Sequence, residues 1–401
     1  MDGRIQRRGK KNSQLQGCTD YRQFFFCRLM GLDGGLIERG ITFRLVFIVV
    51  ASVISETFSF LSIFASNCAD QKLDCMRVFI LGLLTNVAPF NEYTNRHALD
   101  RLHKFLDRML LHPSRTGLKE EKIILEDARH KSSKAVNFYI RIFSGYLGTM
   151  LFAMPLAELL MGHSWKKLPI PWSIPSTDTD AKFLLVFGFQ SVAVVISNCL
   201  GMIMMSFSAI TVQMTALFEV LLFSIRHIED RAAVNSKCER ISYRDAMVAC
   251  LREDIMFYQD IVRELTSATP HLRNMFMACS VSIPVVMACE AYPLVSGNFV
   301  LGALIKSCIF FSIILLCWAQ ICTKMETMTD KHKAVARALY ETPWYENGLK
   351  FRKMVYLTLV FANQPKYIKA RFSIEINANT DTFYSFSVSS FNYLNLMRKM
   401  N

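Results

Sequence analysis

The sequence predicts an all-α membrane protein: seven transmembrane helices, a cytoplasmic N-terminus, an extracellular C-terminus and a helical cytoplasmic anchor region. Three observations lead there. Apolar residues fill 52% of the 401 positions and the mean hydropathy is +0.25, high for a water-soluble domain. Seven mostly apolar stretches approach the roughly 20 residues that a helix needs to cross a bilayer. Lys and Arg, which give a formal net charge of +13, concentrate in alternate connections between those stretches.

The stretches are 41–65, 76–90, 136–161, 183–212, 272–292, 299–323 and 377–396; the second is short and the seventh is polar. The segments 1–40, 91–135, 213–270 and 321–353 hold 8, 10, 7 and 7 Lys or Arg. The alternate segments 66–75, 162–182 and 293–298 hold 1, 3 and 0. Basic residues stay on the cytoplasmic side of a membrane protein, so the first set is inside. One misplaced boundary does not reverse a difference of 32 against 4.

The first forty residues are polar and basic (Arg4, Arg7, Arg8, Lys10, Lys11), with no apolar core leading to a small-residue cleavage site, so no signal peptide is expected. Most of the twelve cysteines fall inside apolar segments, where they act as small hydrophobes. Cys68 and Cys75 share a short outside loop and form a candidate disulfide whose geometry sequence does not reveal. There is no dinucleotide or phosphate-binding glycine motif, no metal spacing among Cys and His, and no nucleophile elbow, so the chain implies neither a cofactor nor an enzyme. His97, His103, His112 and His130 cluster in 91–135 without a zinc pattern. The basic charge lies between apolar blocks, which points to membrane topology and lipid rather than to nucleic acid.

The long inside connections carry helical periodicity. Met214, Leu217, Phe218, Leu221, Leu222 and Ile225 recur at helical spacing, and Met247, Leu251, Ile255, Met256 and Ile261 do so less regularly. These predict helices that extend out of the membrane and pack on each other, either within one subunit or between subunits. The outside loop 162–182 carries Pro169, Pro171, Trp172 and Pro175, which suit an ordered, non-helical cap. The last segment, with Ser385, Ser387, Ser389, Ser390, Asn392 and Asn395, is too polar to face lipid on all sides and must look at protein or water. On a helix Ser387, Phe391 and Asn395 share one face, with Val388 and Asn392 beside it. That face either lines an aqueous path or packs on a helix of the same subunit.

The C-terminal third carries a resemblance. Ala338-Leu-Tyr340, Trp344-Tyr345 and Arg352-Lys353 come first, then Gln364-Pro365 with Ala370, then Thr382-Phe383 and the run Ser390 to Met397. In this order and at this distance from the C-terminus they resemble the motifs of insect odorant receptors, seven-span chemosensory channels of inverted topology. The other two thirds match that family in span layout and loop length. Departures occur at Arg371, Phe391, Asn392 and Asn395, and Met30-Gly31-Leu32-Asp33 lacks the family's frequent Trp-Pro. Gustatory receptors end differently, and the moderate loop before the fifth span resembles a tuning subunit more than the co-receptor.

The resemblance implies a volatile-ligand-gated nonselective cation channel, assembled as a heterotetramer with a co-receptor subunit, in the sensory-neuron plasma membrane. It implies cytoplasmic residues 1–40, a ligand-binding bundle over 41–212, a cytoplasmic extension over 213–270, spans five and six within 271–323, anchor helices over 324–375 and a pore-lining helix over 376–401. The family's gate falls near Phe391 and Asn395, within the face of Ser387, Val388 and Asn392. An apolar, enclosed odorant pocket is expected at the outer halves of spans two, three, four and six. Its candidate residues are Phe79, Leu83, Tyr146, Met150, Met154, Phe187, Gln190, Ser191, Leu304 and Lys306. Packing between helices explains any one of these aromatic or Met residues equally well. Lys306 is a candidate partner for Glu158 or Glu290, with snorkelling to the interface as its alternative, and Arg44 and Arg141 read as interface anchors. Glu375 and Asp381 favour cations at the inner end of the last helix, whereas Arg398 and Lys399 oppose them at the outer end. The alternatives are a gustatory-type channel, a G-protein-coupled seven-helix receptor, which the charge bias disfavours, and a transporter, for which no internal repeat is seen.

Overall fold

The first helix does not hide its apolar side. In α1 (Phe43–Ala65), Val50, Val53, Ile54, Phe58, Leu61 and Phe64 are exposed, while Ser52, Ser55, Glu56, Ser59 and Ser62 are buried. This inverted pattern is expected where the outer solvent is lipid and polar groups must find partners inside. The computed structural model describes residues 43–66, 69–111, 119–148, 180–296, 301–363, 369–371 and 375–400.

Helix α2 (Ala69–Thr94) packs against α1 and is followed after Asn95 by the amphipathic α3 (Arg96–Leu111). Helix α4 (Lys119–Gly148) lies along α5 (Asp180–Arg226), and the short α6 (Ile228–Glu239) leads into α7 (Tyr243–Ser296). Helix α8 (Leu301–Glu341) and α9 (Leu349–Ala362) follow. Strands β1 (Lys369–Arg371) and β2 (Glu375–Asn377) then pair antiparallel, with Ala370 opposite Ile376, before α10 (Thr380–Met400). The ribbon departs from the all-helical anchor expected over 324–375. Helix α9 ends at Ala362, three residues before Pro365, which supplies no N–H for a helix to use.

At 1.5 Å per residue, α7 with its 54 residues runs about 80 Å and α5 with 47 runs about 70 Å. Both exceed the roughly 30 Å hydrocarbon thickness, so neither fits wholly within a bilayer. Helix α7 continues through Pro270, Pro284 and Pro293. Neighbouring helices keep such freed carbonyls out of lipid, which makes proline tolerable in a packed membrane helix. The projecting halves of α5, α7 and α8 form the main core. Met214, Leu217, Phe218, Leu221, Leu222 and Ile225 of α5 are buried against Met247, Leu251, Ile261 and Leu265 of α7 and Met325, Met328 and Val335 of α8. These helical extensions pack within one subunit; Met256, read as part of the same apolar face, is instead exposed.

Two polar devices fix this bundle. The Arg231 guanidinium donates to both Asp254 oxygens at 3.0 and 2.9 Å and to Ser224 Oγ at 2.6 Å, tying α5, α6 and α7 together. The Tyr258 hydroxyl and His332 Nε2 share a hydrogen bond of 2.9 Å, with His332 stacked on Phe218. Burial pushes the Tyr258 hydroxyl up to about 12, so it stays neutral. Among the described residues, Ser208–Arg226, Tyr243–Ala291 and Ser307–Glu341 are long and apolar enough to cross a membrane. Most of Ser208–Arg226 is enclosed by protein, which fits the projecting stem of α5 better than a lipid-facing span.

Candidate ligand site and the exposed face of the last helix

The start of α10 is held firmly. Asn379 Oδ1 accepts from the Thr382 backbone N–H at 3.0 Å, a side-chain cap on an orphan donor. The Thr380 N–H donates to Glu326 Oε2 of α8 at 3.1 Å, and the Thr380 hydroxyl bonds the same oxygen. Beyond the cap the helix divides into two faces. Phe383 and Phe386 pack on the core, and Thr382 and Ser390 are buried. The fully enclosed Trp318 of α8 forms the anvil: Phe276 of α7 stacks on it at 5.3 Å and Phe386 lies 6.0 Å away. On the other side Tyr384, Val388, Phe391, Asn392 and Asn395 are exposed, Phe391 by 56%. Ser387 stands at the edge between the faces, half-buried, its hydroxyl donating to the Phe383 carbonyl at 2.9 Å. The five predicted pore-face residues therefore fall on or beside one uncovered stripe.

The predicted pocket residues are less united. Gln190 of α5 is fully buried, with Phe187 and Ser191 half-buried nearby. The Ser191 hydroxyl donates to the Phe187 carbonyl at 2.7 Å, and Phe187 stacks on Phe183 at 5.9 Å. Helix α2, which faces α5, carries the half-buried Phe79, whose ring lies 5.2 Å from Phe60 of α1. Leu83, a helical turn on, is 46% exposed. Tyr146 lies on α4 and Leu304 and Lys306 on α8, while Met150, Met154, Glu158 and Cys68 lie outside the described residues, as do the proline-rich loop and Gln364-Pro365. Cys75 is fully buried.

The buried charges differ from expectation. Glu290 of α7 pairs with Arg77 of α2 at 2.5 Å, both almost completely enclosed, and the guanidinium also lies over the Phe310 ring at 5.7 Å. Arg77 is thus a partner of Glu290 that the sequence reading did not single out, and the Lys306 side chain lies outside the described residues. A second intramembrane carboxyl, Glu56 of α1, accepts from Ser52 Oγ at 3.1 Å and rests on Gly82 of α2, where an added Cβ would meet its Cγ at 2.5 Å. Among the described residues no group of three His, Cys, Asp or Glu side chains is placed to hold a metal ion.

The profile of the 7tm odorant receptor family matches residues 71–385. The chain belongs to that family. A search of curated proteins finds no match to this odorant receptor. Solved structures that share its fold include two of the insect olfactory receptor OR5 from Machilis hrabei. The one in complex with eugenol is 14% identical, covers 90% of each chain and has a TM-score of 0.73. The other is 12% identical, covers 90% of this chain and 91% of that one, and also has a TM-score of 0.73. The receptor is accordingly a multi-pass membrane protein of helical architecture.

With the family established, its C-terminal motif gains a physical reason. The Arg352 guanidinium donates to the carbonyls of Asn347, at 2.9 Å, and Tyr345, closing the turn between α8 and α9. Asn347 Nδ2 reaches back to the Pro343 carbonyl at 2.8 Å. The Trp-Tyr and Arg-Lys fragments are thus one folded corner of this odorant receptor. Three features escaped the sequence reading: Arg77, Glu56 and the Glu326 tether. A lone charged residue at the edge or middle of an apolar run signals such a partner, and Arg77 and Glu56 both sit so.

Proposed function

We propose that this odorant receptor is a subunit of a volatile-ligand-gated nonselective cation channel, working with a co-receptor in the plasma membrane of sensory-neuron dendrites. The uncovered stripe of α10 carries the proposal. Tyr384, Val388, Phe391, Asn392 and Asn395 combine aromatic, small apolar and amide groups on a face that the subunit's own helices leave open. Such a face in a membrane helix suits water and like faces of other subunits better than lipid. A ring of Phe391 side chains closes a path by dewetting, and amides beside it replace part of a cation's hydration shell. Chains surrounding a common axis then place one such stripe each toward the centre.

In this reading the chain crosses seven times. The spans are α1, α2, the segment 136–161, the first half of α5, the second half of α7, the first half of α8, and α10. The N-terminus is cytoplasmic and the C-terminus extracellular, as the 32-to-4 charge bias supports. The ligand site lies near Gln190, whose amide gives one orienting hydrogen bond among apolar walls that include Phe187. Other candidates from the sequence, including Phe79, Tyr146, Leu304 and Lys306, remain part of the proposed wall, and an odorant reaches it from the outer side. A bound ligand favours the open arrangement only by binding it more tightly than the closed one.

The test is whole-cell recording from cells expressing the chain with and without an insect co-receptor, under a panel of volatiles. A fast inward current that requires both subunits and survives G-protein block is expected. A response abolished by G-protein block would replace the channel with a coupled receptor.

A further inference from the structure

We propose that the groove between α3 and α7 binds the headgroup of a multiply phosphorylated anionic lipid of the inner leaflet. The inference rests on the orientation proposed above, which puts α3 on the cytoplasmic side. The groove encloses about 300 Å³, and Arg101, Lys104 and Arg108 of α3 face Arg263 of α7 across it. Its apolar floor comes from Phe105 and Met109, and Asp260 and Glu264 complete the lining. Four cations against two carboxylates leave a net positive groove, and three of the four cations are arginine, the side chain that binds phosphate through two parallel hydrogen bonds.

Depth argues for lipid. Asn91, at the inner end of α2, donates to the His271 carbonyl of α7 at 3.0 Å, which marks the level where that span ends. The Arg101 guanidinium donates to Ser267 Oγ at 2.9 Å, one turn below His271, and Arg263 lies a further turn down. At 1.5 Å per residue these positions are about 6 and 12 Å past the boundary. The headgroup layer of one leaflet is about 5–8 Å deep, so Ser267 stands within it and Arg263 just beyond it, on the side to which a phosphorylated headgroup projects. Helix α3 also lies suitably for this role, burying Leu99, Leu102 and Leu106 while Arg101, Lys104 and Arg108 are exposed. Basic clusters directly beyond a spanning helix draw anionic lipid.

The existing partners do not block the site. Arg263 contacts Asp260 at 2.8 Å and Glu264 at 3.4 Å, and Lys104 contacts Asp100 at 2.6 Å. The basic member of each pair is largely exposed and its partner is a near neighbour in sequence, so solvent and salt weaken these contacts and phosphate oxygens can compete for the same cations. A lipid held there would clamp α3, which hangs from α2, to α7.

The experiment measures binding of a short-chain phosphatidylinositol bisphosphate to the purified full-length receptor in neutral detergent. Soluble inositol phosphate and inorganic phosphate serve as competitors. The wild type binds the lipid, and Arg108→Gln with Arg263→Gln weakens it by about tenfold or more, as expected for lost charge-assisted bonds. Glu264→Gln tightens binding severalfold, a gain that misfolding cannot mimic. Unchanged affinity in both variants would overturn the site. Equal competition by the soluble headgroup or by inorganic phosphate would overturn the lipid assignment in favour of a free anion. No current is read, so a failure here is distinct from a failure of the channel proposal.

Discussion

A buried charge keeps its place only with a partner, and Arg77 and Glu290 show what that means at the scale of one residue. Their 2.5 Å contact, with side chains 3% and 1% exposed, links α2 and α7. Removing one member leaves an uncompensated charge and costs about 3–5 kcal/mol, whereas replacing both with apolar groups is often close to neutral. Arg77→Met is therefore expected to lower the thermal unfolding temperature of the purified receptor sharply, and Arg77→Met/Glu290→Leu to recover most of it. If Lys306 were the partner of Glu290, Arg77→Met would be tolerated, so the same melting curves decide between the two. The ligand site yields a different kind of prediction. Gln190 is fully enclosed, and Gln190→Ala or Phe187→Ala should raise the half-maximal odorant concentration roughly tenfold, the worth of one enclosed hydrogen bond, while reversal potentials stay fixed. Unchanged dose–response curves in both variants would move the pocket elsewhere. Sequence alone finds such residues poorly, because periodicity gives a face and not an enclosure. Leu83 and Gln190 were equally plausible from pattern, yet the first is exposed and the second is not.

Whole elements were more legible than their ends. The apolar stretch at 41–65 emerges as Phe43–Ala65, and the polar closing segment as Thr380–Met400. The fourth, fifth and sixth stretches emerge inside longer helices of 47, 54 and 41 residues, whose extensions carry residues such as Met214, Leu217, Phe218 and Leu221 that are as apolar as a span. Hydropathy cannot tell a residue buried in protein from one buried in lipid. The β1–β2 ribbon was hidden by its brevity, three residues in each strand. Its position just before α10 matters, since it sets the entry of that helix alongside the Asn379 cap and the Glu326 tether. Glu326→Ala frees the first turn from α8 and is expected to raise ligand-independent current severalfold. Phe391→Ala, on the uncovered stripe, is expected to raise leak by removing the dewetting ring, without disturbing the Trp318 contact. Basal currents equal to wild type in both variants would take α10 out of the gate.

Assembly is the question for the molecule as a whole. Helix α9 is two-faced: Phe351, Val355, Thr358 and Ala362 are buried on α7 and α8, while Leu349, Tyr356, Leu357, Val360 and Phe361 are exposed. The exposed five follow helical spacing and form one stripe, with Tyr345 exposed just before it. Apolar patches of this kind on a projecting domain mark protein contacts. The tight corner built by Arg352 holds the stripe in a fixed orientation relative to α8. If subunits meet around a central path lined by α10, the stripe on α9 is the natural place for them to touch outside the membrane. Phe361→Glu should then prevent co-purification with the co-receptor and abolish odorant current. The side chain is exposed, so folding of the single subunit should not suffer, and its detergent-phase melting temperature should stay within a degree or two of wild type. Phe351→Ala makes the contrast: it opens a cavity in the buried face and costs about 3–5 kcal/mol of subunit stability. Co-purification of the Phe361→Glu variant at the wild-type ratio, with normal currents, would show that subunits meet through another surface.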